Sequence, residues 1–417
     1  MTHVVRPGFQ STAVDSSTGT RTRIELHTPV PRALKSEIEK RIFFVSPDIT
    51  SFEVTADGDQ VHAVTLFSRE RLSTTALTEK VNYMVDNDVR KQWVTPPKAI
   101  WTSPHQRTSH PDTFERLREI GAVSEAGEGQ VAIGEPLISL FTYFDRAVRE
   151  TLGQEFSALE YRYPTLISTQ ALEKARYFDS FPQHLMFVTR LHNDVDVYRA
   201  FQMSAGDTGI DSAVLDSCRN VDYCLPPTMC YHTFHQYGGR SLETDRVHVV
   251  TSRGKSFRFE AAYSATLERL WDFTIREIVF MGSREEVLDA RQRFMRKIFT
   301  FVEDLGLSGF CEVGNDPFFC GSDTPERIWS QRLMELKYEL RLRVGEDRTI
   351  AVGSFNFHDD IFGRAFGIEH GSDGPVRSAC VGFGLERLVY AFLCQYGTDA
   401  TQWPAQVGDA VRTMNGV

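Results

Sequence analysis

The stretch FRFE (residues 257–260), followed after a polar loop by TLERLWDFTIREIVF (residues 266–280), gives the clearest indication of the fold. Apolar and polar residues alternate on both sides of the loop, which predicts two antiparallel strands. The residues that this spacing places on common strand faces are Arg258 with Glu260, and Arg269 with Phe273 and Glu277. Arginines on both strands can bind a polyphosphate from two sides, and an aromatic ring between them can stack on a base. The alternative is a surface hairpin with salt bridges and one core phenylalanine.

A second stretch, SACVGFGLERLVYAF (residues 378–392), places two glycines between an apolar run and an amphipathic helix. Glycine allows a backbone to approach a strand or a ligand closely. Arg387 falls in the first turn of that helix and would point toward the approach. The alternative is a helix start with glycines for packing, since Gly-x-Gly alone is a weak signal.

The third stretch, CLPPTMCYH (residues 224–232), holds two cysteines beside prolines in a segment without helical pattern. It contains no Cys-x-x-Cys pair, so it is not a zinc-finger knuckle. Either cysteine can bind a metal ion or can be a small buried apolar residue.

Together these stretches resemble the class II aminoacyl-tRNA synthetases. The first is similar to their motif 2 and the second to motif 3, while the predicted helix over 136–156, followed by YRYP (residues 161–164), looks like motif 1. Within the class, residues 109–417 resemble the zinc-containing seryl-tRNA synthetases of methanogens and their truncated relatives, the amino acid:[carrier protein] ligases. The phrases RYFDSFPQ (176–183) and GSFNFHDDIFG (353–363) look more like the ligases.

The resemblance implies an ATP site built from residues of the three motifs. Arg258 would hold the α-phosphate, and Arg269 and Arg387 the β- and γ-phosphates. Glu260 would contact the adenine side, and Phe273 would stack on adenine. Ser354 would also belong to the ATP site, with Mg²⁺ as the accompanying ion.

The resemblance also implies a zinc ion, with Cys230, Glu277 and Cys380 as ligands and Cys224 as a competitor for the first position. Three protein ligands leave one tetrahedral position open, which is typical of a working site. In this family that position receives the α-amino group of the substrate, and Asn356 is assigned to the substrate side.

One position departs from the family pattern. The related synthetases place an acidic Mg²⁺ ligand three residues before the serine that matches Ser354, and here that residue is Ala351. Water or another carboxylate would then complete the metal shell.

Length and composition indicate an ordinary globular protein of more than one domain. The chain has 417 residues, and 41% of them are hydrophobic. No run of 18 apolar residues occurs, and the polar N-terminus has no apolar segment of the kind a secretory signal needs, so we expect a cytoplasmic location and no membrane contact. Strand and helix patterns predict a disordered lead (1–22), a small α+β domain (23–105) and a class II synthetase-like α+β catalytic domain with an antiparallel sheet flanked by helices (106–417).

The sequence leaves three functions open. The first is ATP-dependent activation of glycine, alanine or serine and transfer to a phosphopantetheinylated carrier protein. The second is a divergent seryl-tRNA synthetase, and the third is a non-catalytic paralogue.

A net charge of −10 argues against a large nucleic-acid partner. The basic residues of 291–297, at helical spacing, form either a docking face for an acidic carrier protein or a solvated helix face. Motif 1 implies a homodimer, with Pro164 near the partner's site.

Overall fold

The computed structural model describes residues 20–39, 41–90, 98–153, 155–208, 212–260, 266–314, 334–346 and 348–414. Cys320 and residues 1–19 of the N-terminal segment that was predicted to be disordered lie outside these ranges. The chain divides into two compact units, residues 1–95 and 96–417. Among the residues described, no helix has the length and apolar character needed to cross a membrane.

The smaller unit is a three-stranded antiparallel sheet with two helices. Its strands follow the order β1-β3-β2. Its elements are β1 (Thr20–Pro31), α1 (Lys35–Glu39), β2 (Ile49–Asp57), β3 (Gln60–Ser68) and α2 (Thr74–Met84), which a π-helical turn (Val85–Val89) extends. Alternating buried residues such as Ile24 and Leu26 on β1 face the helices and form a separate core.

Two expectations for this unit need correction. The sequence pattern of residues 31–43 predicts a helix, but the structure has 3₁₀ turns (Arg32–Leu34 and Ile42–Phe44) on either side of α1, so turns and not one continuous helix bury the apolar residues there. The predicted lead also ran too far, because β1 begins at Thr20 and pairs with Ser68 of β3.

The larger unit is built on an eight-stranded sheet of order β4-β14-β15-β16-β18-β13-β12-β7. Neighbouring strands are antiparallel except for the parallel pair β7 and β12. The strands of this sheet are β4 (Ala99–Thr102), β7 (Leu159–Tyr161), β12 (His248–Phe257), β13 (Asp272–Gly282), β14 (Gly309–Val313), β15 (Lys337–Arg343), β16 (Thr349–Asp359) and β18 (Arg377–Gly384). Because β4 pairs with β14, the boundary between the units falls before residue 96 and not at 105/106 as predicted.

Shorter strands and the remaining helices surround this sheet. The strands are β5 (Val123–Gly127), β6 (Gln130–Ile133), β8 (Ile167–Ser168), β9 (Phe187–Leu191), β10 (Cys218–Cys224), β11 (Ser241–Leu242) and β17 (Glu369–His370). The helices are α3 (Thr113–Glu119), α4 (Leu137–Gly153), α5 (Thr169–Lys174), α6 (Tyr177–Ser180), α7 (Val195–Thr208), α8 (Cys230–Tyr237), α9 (Arg284–Asp304), α10 (Ile361–Phe366), α11 (Leu385–Tyr396) and α12 (Ala405–Met414). Further 3₁₀ turns lie at Pro182–His184, Ser212–Ser217 and Ala400–Gln402.

The central strands of the sheet separate two apolar cores. Alternate residues of β13 and β18, such as Ile278 and Val381, pack with α4, α9 and α11 on one face. Their neighbours in sequence, such as Val279 and Cys380, pack with α8 and α10 on the other. Side chains on a strand alternate between its faces, so each central strand contributes to both cores.

The hairpin of β12 and β13 is shorter than the sequence pattern suggests. The predicted strands included Arg258, Glu260 and Arg269, but β12 ends at Phe257 and β13 begins at Asp272. These three residues therefore lie in the connecting segment, where polar side chains are not confined to one face of a sheet. Phe273 and Glu277 do share a face of β13, as predicted.

A buried ion network joins α4 to the centre of the sheet. Arg276 of β13 is 2% exposed and donates from Nε to Asp145 Oδ1 at 2.6 Å and from Nη2 to Asp145 Oδ2 at 2.9 Å. Its Nη1 also donates to Glu160 Oε1 of β7 at 3.0 Å. A guanidinium removed from water in this way depends on its carboxylate partners.

We predict that Asp145→Ala lowers the free energy of unfolding by about 3 to 5 kcal/mol, because it leaves the Arg276 charge buried without its bidentate partner. Glu150→Ala on the same helix removes an exposed ion pair with Arg146 and should cost about 0.5 kcal/mol or less. Urea unfolding of both variants tests this, and equal losses would contradict the assignment.

Candidate active site

A cavity of about 630 Å³ lies on the α8 and α10 side of the large sheet. Nine of the ten residues that the sequence assigned to the site line it: Cys230, Arg258, Glu260, Phe273, Glu277, Ser354, Asn356, Cys380 and Arg387. The tenth, Arg269, reaches the site through Glu260, whose Oε2 accepts from Arg269 Nη1 at 3.0 Å.

Cys230, Glu277 and Cys380 come together at one end of the cavity. Their ligand atoms lie within 4.8 Å of one another, and all three residues are buried. Cys230 is the first residue of α8, Glu277 lies on β13 and Cys380 on β18. Cys224 is buried in the adjoining core and is not a member of this group.

The electrostatics of this group fit a bound cation. Burial raises the pKa of Glu277 to about 7, against hydrogen bonds that include one from Thr228. A hydrogen bond with Cys230, together with burial, raises the pKa of the Cys380 thiol well above its usual value. Two buried thiols and a buried carboxylate are a donor set that suits zinc. A bound zinc ion would favour the deprotonated forms of all three groups.

Two polar side chains of β16 border the group. Asn356 Nδ2 lies 3.4 Å from Cys380 Sγ and 3.3 Å from Ser354 Oγ. His358 Nε2 is also 3.4 Å from Cys380 Sγ, and its Nδ1 is 3.3 Å from Ser378 Oγ. Asn356 Oδ1 is buried and has no hydrogen-bond partner among the described residues, so it can accept a hydrogen bond from a bound ligand.

The other end of the cavity is rich in arginine. Arg258 Nε donates to the Pro227 carbonyl at 3.1 Å, and its guanidinium lies 5.5 Å from the centre of the Phe273 ring. Arg387 Nε donates to the Glu268 carbonyl at 2.6 Å. Burial, and then the charge of Arg269, lowers the pKa of Arg387 to about 10. Crowded and partly desolvated cations of this kind favour an anionic ligand.

Glu386 fixes the start of α11 against β13. Both of its carboxylate oxygens accept from the Thr274 N–H at 2.8 Å, and burial raises its pKa to about 7. Since Phe273 precedes Thr274 and Arg387 follows Glu386, this contact sets the position of Arg387 relative to the Phe273 ring.

The chain is similar to curated proteins of two kinds, the first of which are amino acid--[acyl-carrier-protein] ligases. The chain is 32% identical over 290 residues to amino acid--[acyl-carrier-protein] ligase 1 of Bradyrhizobium diazoefficiens, a match that spans 67% of this chain and 81% of that protein. It is 33% identical over 257 residues to ligase 2 of the same organism, spanning 60% of this chain and 73% of that protein.

The chain belongs to the amino acid--[acyl-carrier-protein] ligase family. It is also 29% identical over 312 residues to the type-2 serine--tRNA ligase of Methanococcus aeolicus, across 73% of this chain. That match spans only 60% of the methanogen protein. No protein-family model matches the chain.

Solved structures confirm the class II synthetase-like fold. The seryl-tRNA synthetase of M. kandleri, crystallised with A. aeolicus tRNASec, superposes with a TM-score of 0.70 at 17% identity, over 95% of this chain and 97% of that one. The cytoplasmic serine-tRNA ligase of Naegleria fowleri gives a TM-score of 0.58 at 11% identity, over 82% of this chain and 72% of that one.

Sequence reasoning missed His358 as a neighbour of the ligase's cysteine–glutamate group. The signal was present, because Ser354, Asn356 and His358 alternate along β16 and must share a face. Only the pairing of Asn356 with Cys380 shows that this face is the one toward the cysteine–glutamate group.

The basic stretch of α9 is largely engaged within the protein. Arg291 is buried and lies 5.1 Å from the centre of the Tyr338 ring. Arg293 and Lys297 both pair with Glu155, at 2.7 Å and 2.8 Å. The Asp289–Arg293 pair at 2.7 Å agrees with the helix-face alternative, while docking of a carrier protein on this helix stays a prediction.

We predict that Cys380→Ala abolishes zinc binding, whereas Cys224→Ala, which removes an equally buried thiol outside the group, leaves one zinc per chain. Metal analysis of the purified variants by plasma mass spectrometry measures this directly. Zinc at full stoichiometry in Cys380→Ala, or its loss from Cys224→Ala alone, would show that the ligand assignment is wrong.

Proposed function

We propose that this ligase activates glycine, alanine or serine with ATP and transfers the aminoacyl group to the phosphopantetheine thiol of a carrier protein. The match to the Bradyrhizobium ligase carries the proposal, because it reaches 32% identity and spans 81% of that protein. The cavity supports it, since the metal-binding group and the arginines lie at two ends of one space.

In the proposed reaction, a carboxylate oxygen of the amino acid attacks the α-phosphorus of ATP. The new O–P bond makes an aminoacyl adenylate, and the bond to the bridging oxygen breaks to release pyrophosphate. The substrate carboxylate is already ionised at neutral pH, so the step needs no general base. Positioning and charge neutralisation then supply most of the rate. In the second step the carrier thiol attacks the aminoacyl carbonyl, which forms a thioester and releases AMP.

Each end of the cavity has a separate task in this reaction. Arg258 holds the α-phosphate, Arg269 and Arg387 hold the β- and γ-phosphates, and Phe273 stacks on adenine with Glu260 beside it. Cys230, Glu277 and Cys380 would hold the zinc ion, which would supply a contact for the substrate's α-amino group and so direct the carboxylate toward the phosphates.

The surroundings of the metal-binding group favour a small side chain. Asn356 and His358 both lie 3.4 Å from Cys380 Sγ, and the buried rings of Tyr177 and Tyr231 line the same cavity. A large amino acid would have to displace these groups.

The second candidate is a serine--tRNA ligase. The M. aeolicus match, 29% identical over 312 residues, favours it. The lower identity and the smaller share of the methanogen protein that is matched count against it. A non-catalytic paralogue is disfavoured, because the three arginines and all three candidate metal ligands are present and lie together.

We predict pyrophosphate exchange into ATP that depends on glycine, alanine or serine and fails with large amino acids such as leucine. The exchange assay with each of the twenty amino acids measures it, and Arg387→Lys should reduce the exchange at least tenfold, because a point charge cannot replace the planar guanidinium. No exchange with any amino acid would contradict both enzymatic candidates.

The identity of the acceptor is tested with the amino acid that supports pyrophosphate exchange. Transfer of the radiolabelled amino acid to holo carrier protein, beside apo carrier protein and tRNA, should label only the holo carrier. Labelling of tRNA and not of the carrier would establish the second candidate in place of the first.

A further inference from the structure

The short segment that follows β12 brings Arg258 and Glu260 to the cavity without belonging to a strand. On one side it is held by the segment that precedes α8, because the Phe257 N–H donates to the Pro226 carbonyl at 2.8 Å. Sheet pairing fixes the residues of β12 up to Phe257. The positions of Arg258 and Glu260 therefore depend on the contacts made by residues 258–260 themselves.

Trp271, the residue before β13, holds the other side of this segment. The Arg258 N–H donates to the Trp271 carbonyl at 3.0 Å, and the indole Nε1–H donates to the Glu260 carbonyl at 2.9 Å. The indole ring also packs on the Phe259 ring, with the ring centres 4.8 Å apart. One residue thus contacts each of residues 258–260, although Trp271 is not among the described residues that line the cavity.

The tip of the β5–β6 hairpin lies directly against Trp271. Residues 128 and 129 form its two-residue turn, and the Trp271 N–H donates to the Gly129 carbonyl at 2.8 Å. Gly129 has a φ of +66°, and a Cβ atom there would lie 2.4 Å from Trp271 Cγ and 2.5 Å from Cδ1. The backbone conformation and the close approach of the indole ring both require glycine at this position.

The hairpin is itself anchored in the large core. Val123 of β5 is a buried member of that core, and Val131 and Ile133 of β6 pack against it. The hairpin tip, the indole ring and the segment 258–260 therefore form a continuous line of contacts from the core to the arginine-rich end of the cavity. A small shift at the tip would move the groups that meet the nucleotide, and misplacement by about 1 Å can cost roughly 100-fold in rate.

We propose that Trp271, braced by Gly129, is a positioning residue for the nucleotide. It fixes the backbone of residues 258–260 so that Arg258 meets the α-phosphate and Glu260 meets the adenine side. This inference rests on the proposed function, because it requires ATP in the cavity. It gives a part in nucleotide binding to the β5–β6 hairpin, which lies outside the stretches that resemble the three class II motifs.

The test measures the binding of AMP and of α,β-methylene-ATP, which cannot release pyrophosphate, to the zinc-loaded full chain by isothermal titration calorimetry. Gly129→Ala should weaken the binding of both nucleotides at least about tenfold, because the new methyl group must displace the indole ring and with it the segment 258–260. The zinc content of this variant should equal that of the wild type, since Glu277 is held by the pairing of β13 with β12 and β18.

Gly121→Ala is the matched control. Gly121 also has a positive φ, +71°, so alanine meets a similar backbone strain there, but nothing lies within 4 Å of a Cβ atom at that position. This variant should lose thermal stability and still bind both nucleotides with the affinity of the wild type. The comparison separates displacement of Trp271 from a general loss of stability.

Trp271→Phe separates the hydrogen bond from the packing, and it decides the question if Gly129→Ala does not fold. Phenylalanine keeps a ring against Gly129 but has no N–H for the Glu260 carbonyl, so the affinity for both nucleotides should fall roughly fivefold. Unchanged nucleotide affinity in Trp271→Phe, or equal losses in Gly129→Ala and Gly121→Ala, would overturn the inference and leave the proposed function intact. A wild-type chain that binds neither nucleotide would overturn both.

Discussion

The register of β13 between β12 and β18 is the constraint on which the site depends. Arg276 and Glu277 are adjacent buried residues of opposite charge, and they face opposite sides of the sheet. Arg276 meets Asp145 and Glu160 under α4, while Glu277 meets Cys230 and Cys380. A slip of one residue would place each charge in the other's environment. Both ionic environments therefore specify the same register.

That register also explains why glycines are needed on the strands around the site. A Cβ atom at Gly382 would lie 2.8 Å from Ile275 Cδ1 and 3.5 Å from both carboxylate oxygens of Glu277. One at Gly353 would lie 2.6 Å from the Phe383 ring. Side chains at these points would displace Glu277 or the core aromatic, so the close approach of backbone and side chain requires glycine there.

Motif spacing predicted which residues lie together better than it predicted where the strands end. Cys230, Glu277 and Cys380 were chosen by resemblance, and the structure brings them together; that they bind zinc stays a prediction. Arg258 and Glu260 were placed on a strand because alternation continues into the loop, yet periodicity does not mark where pairing stops. His358 could not be assigned to the cysteine–glutamate group from alternation alone, because its position depends on the pairing of β16 with β18, which is a long-range property of the sheet.

Burial disfavours the charged forms of titratable side chains at both ends of the cavity. At one end, burial raises the pKa of Glu277 and of Cys380. At the other end, burial and the charge of Arg269 lower the pKa of Arg387. A cation at the first end and a polyphosphate at the second would each relieve this cost. Under the proposed function, an amino acid whose amino group sits at the first end has its carboxylate directed along the cavity toward the second. The desolvation that disfavours these charges would thus strengthen the contacts that orient both substrates, because a charge pair attracts more strongly where water is excluded.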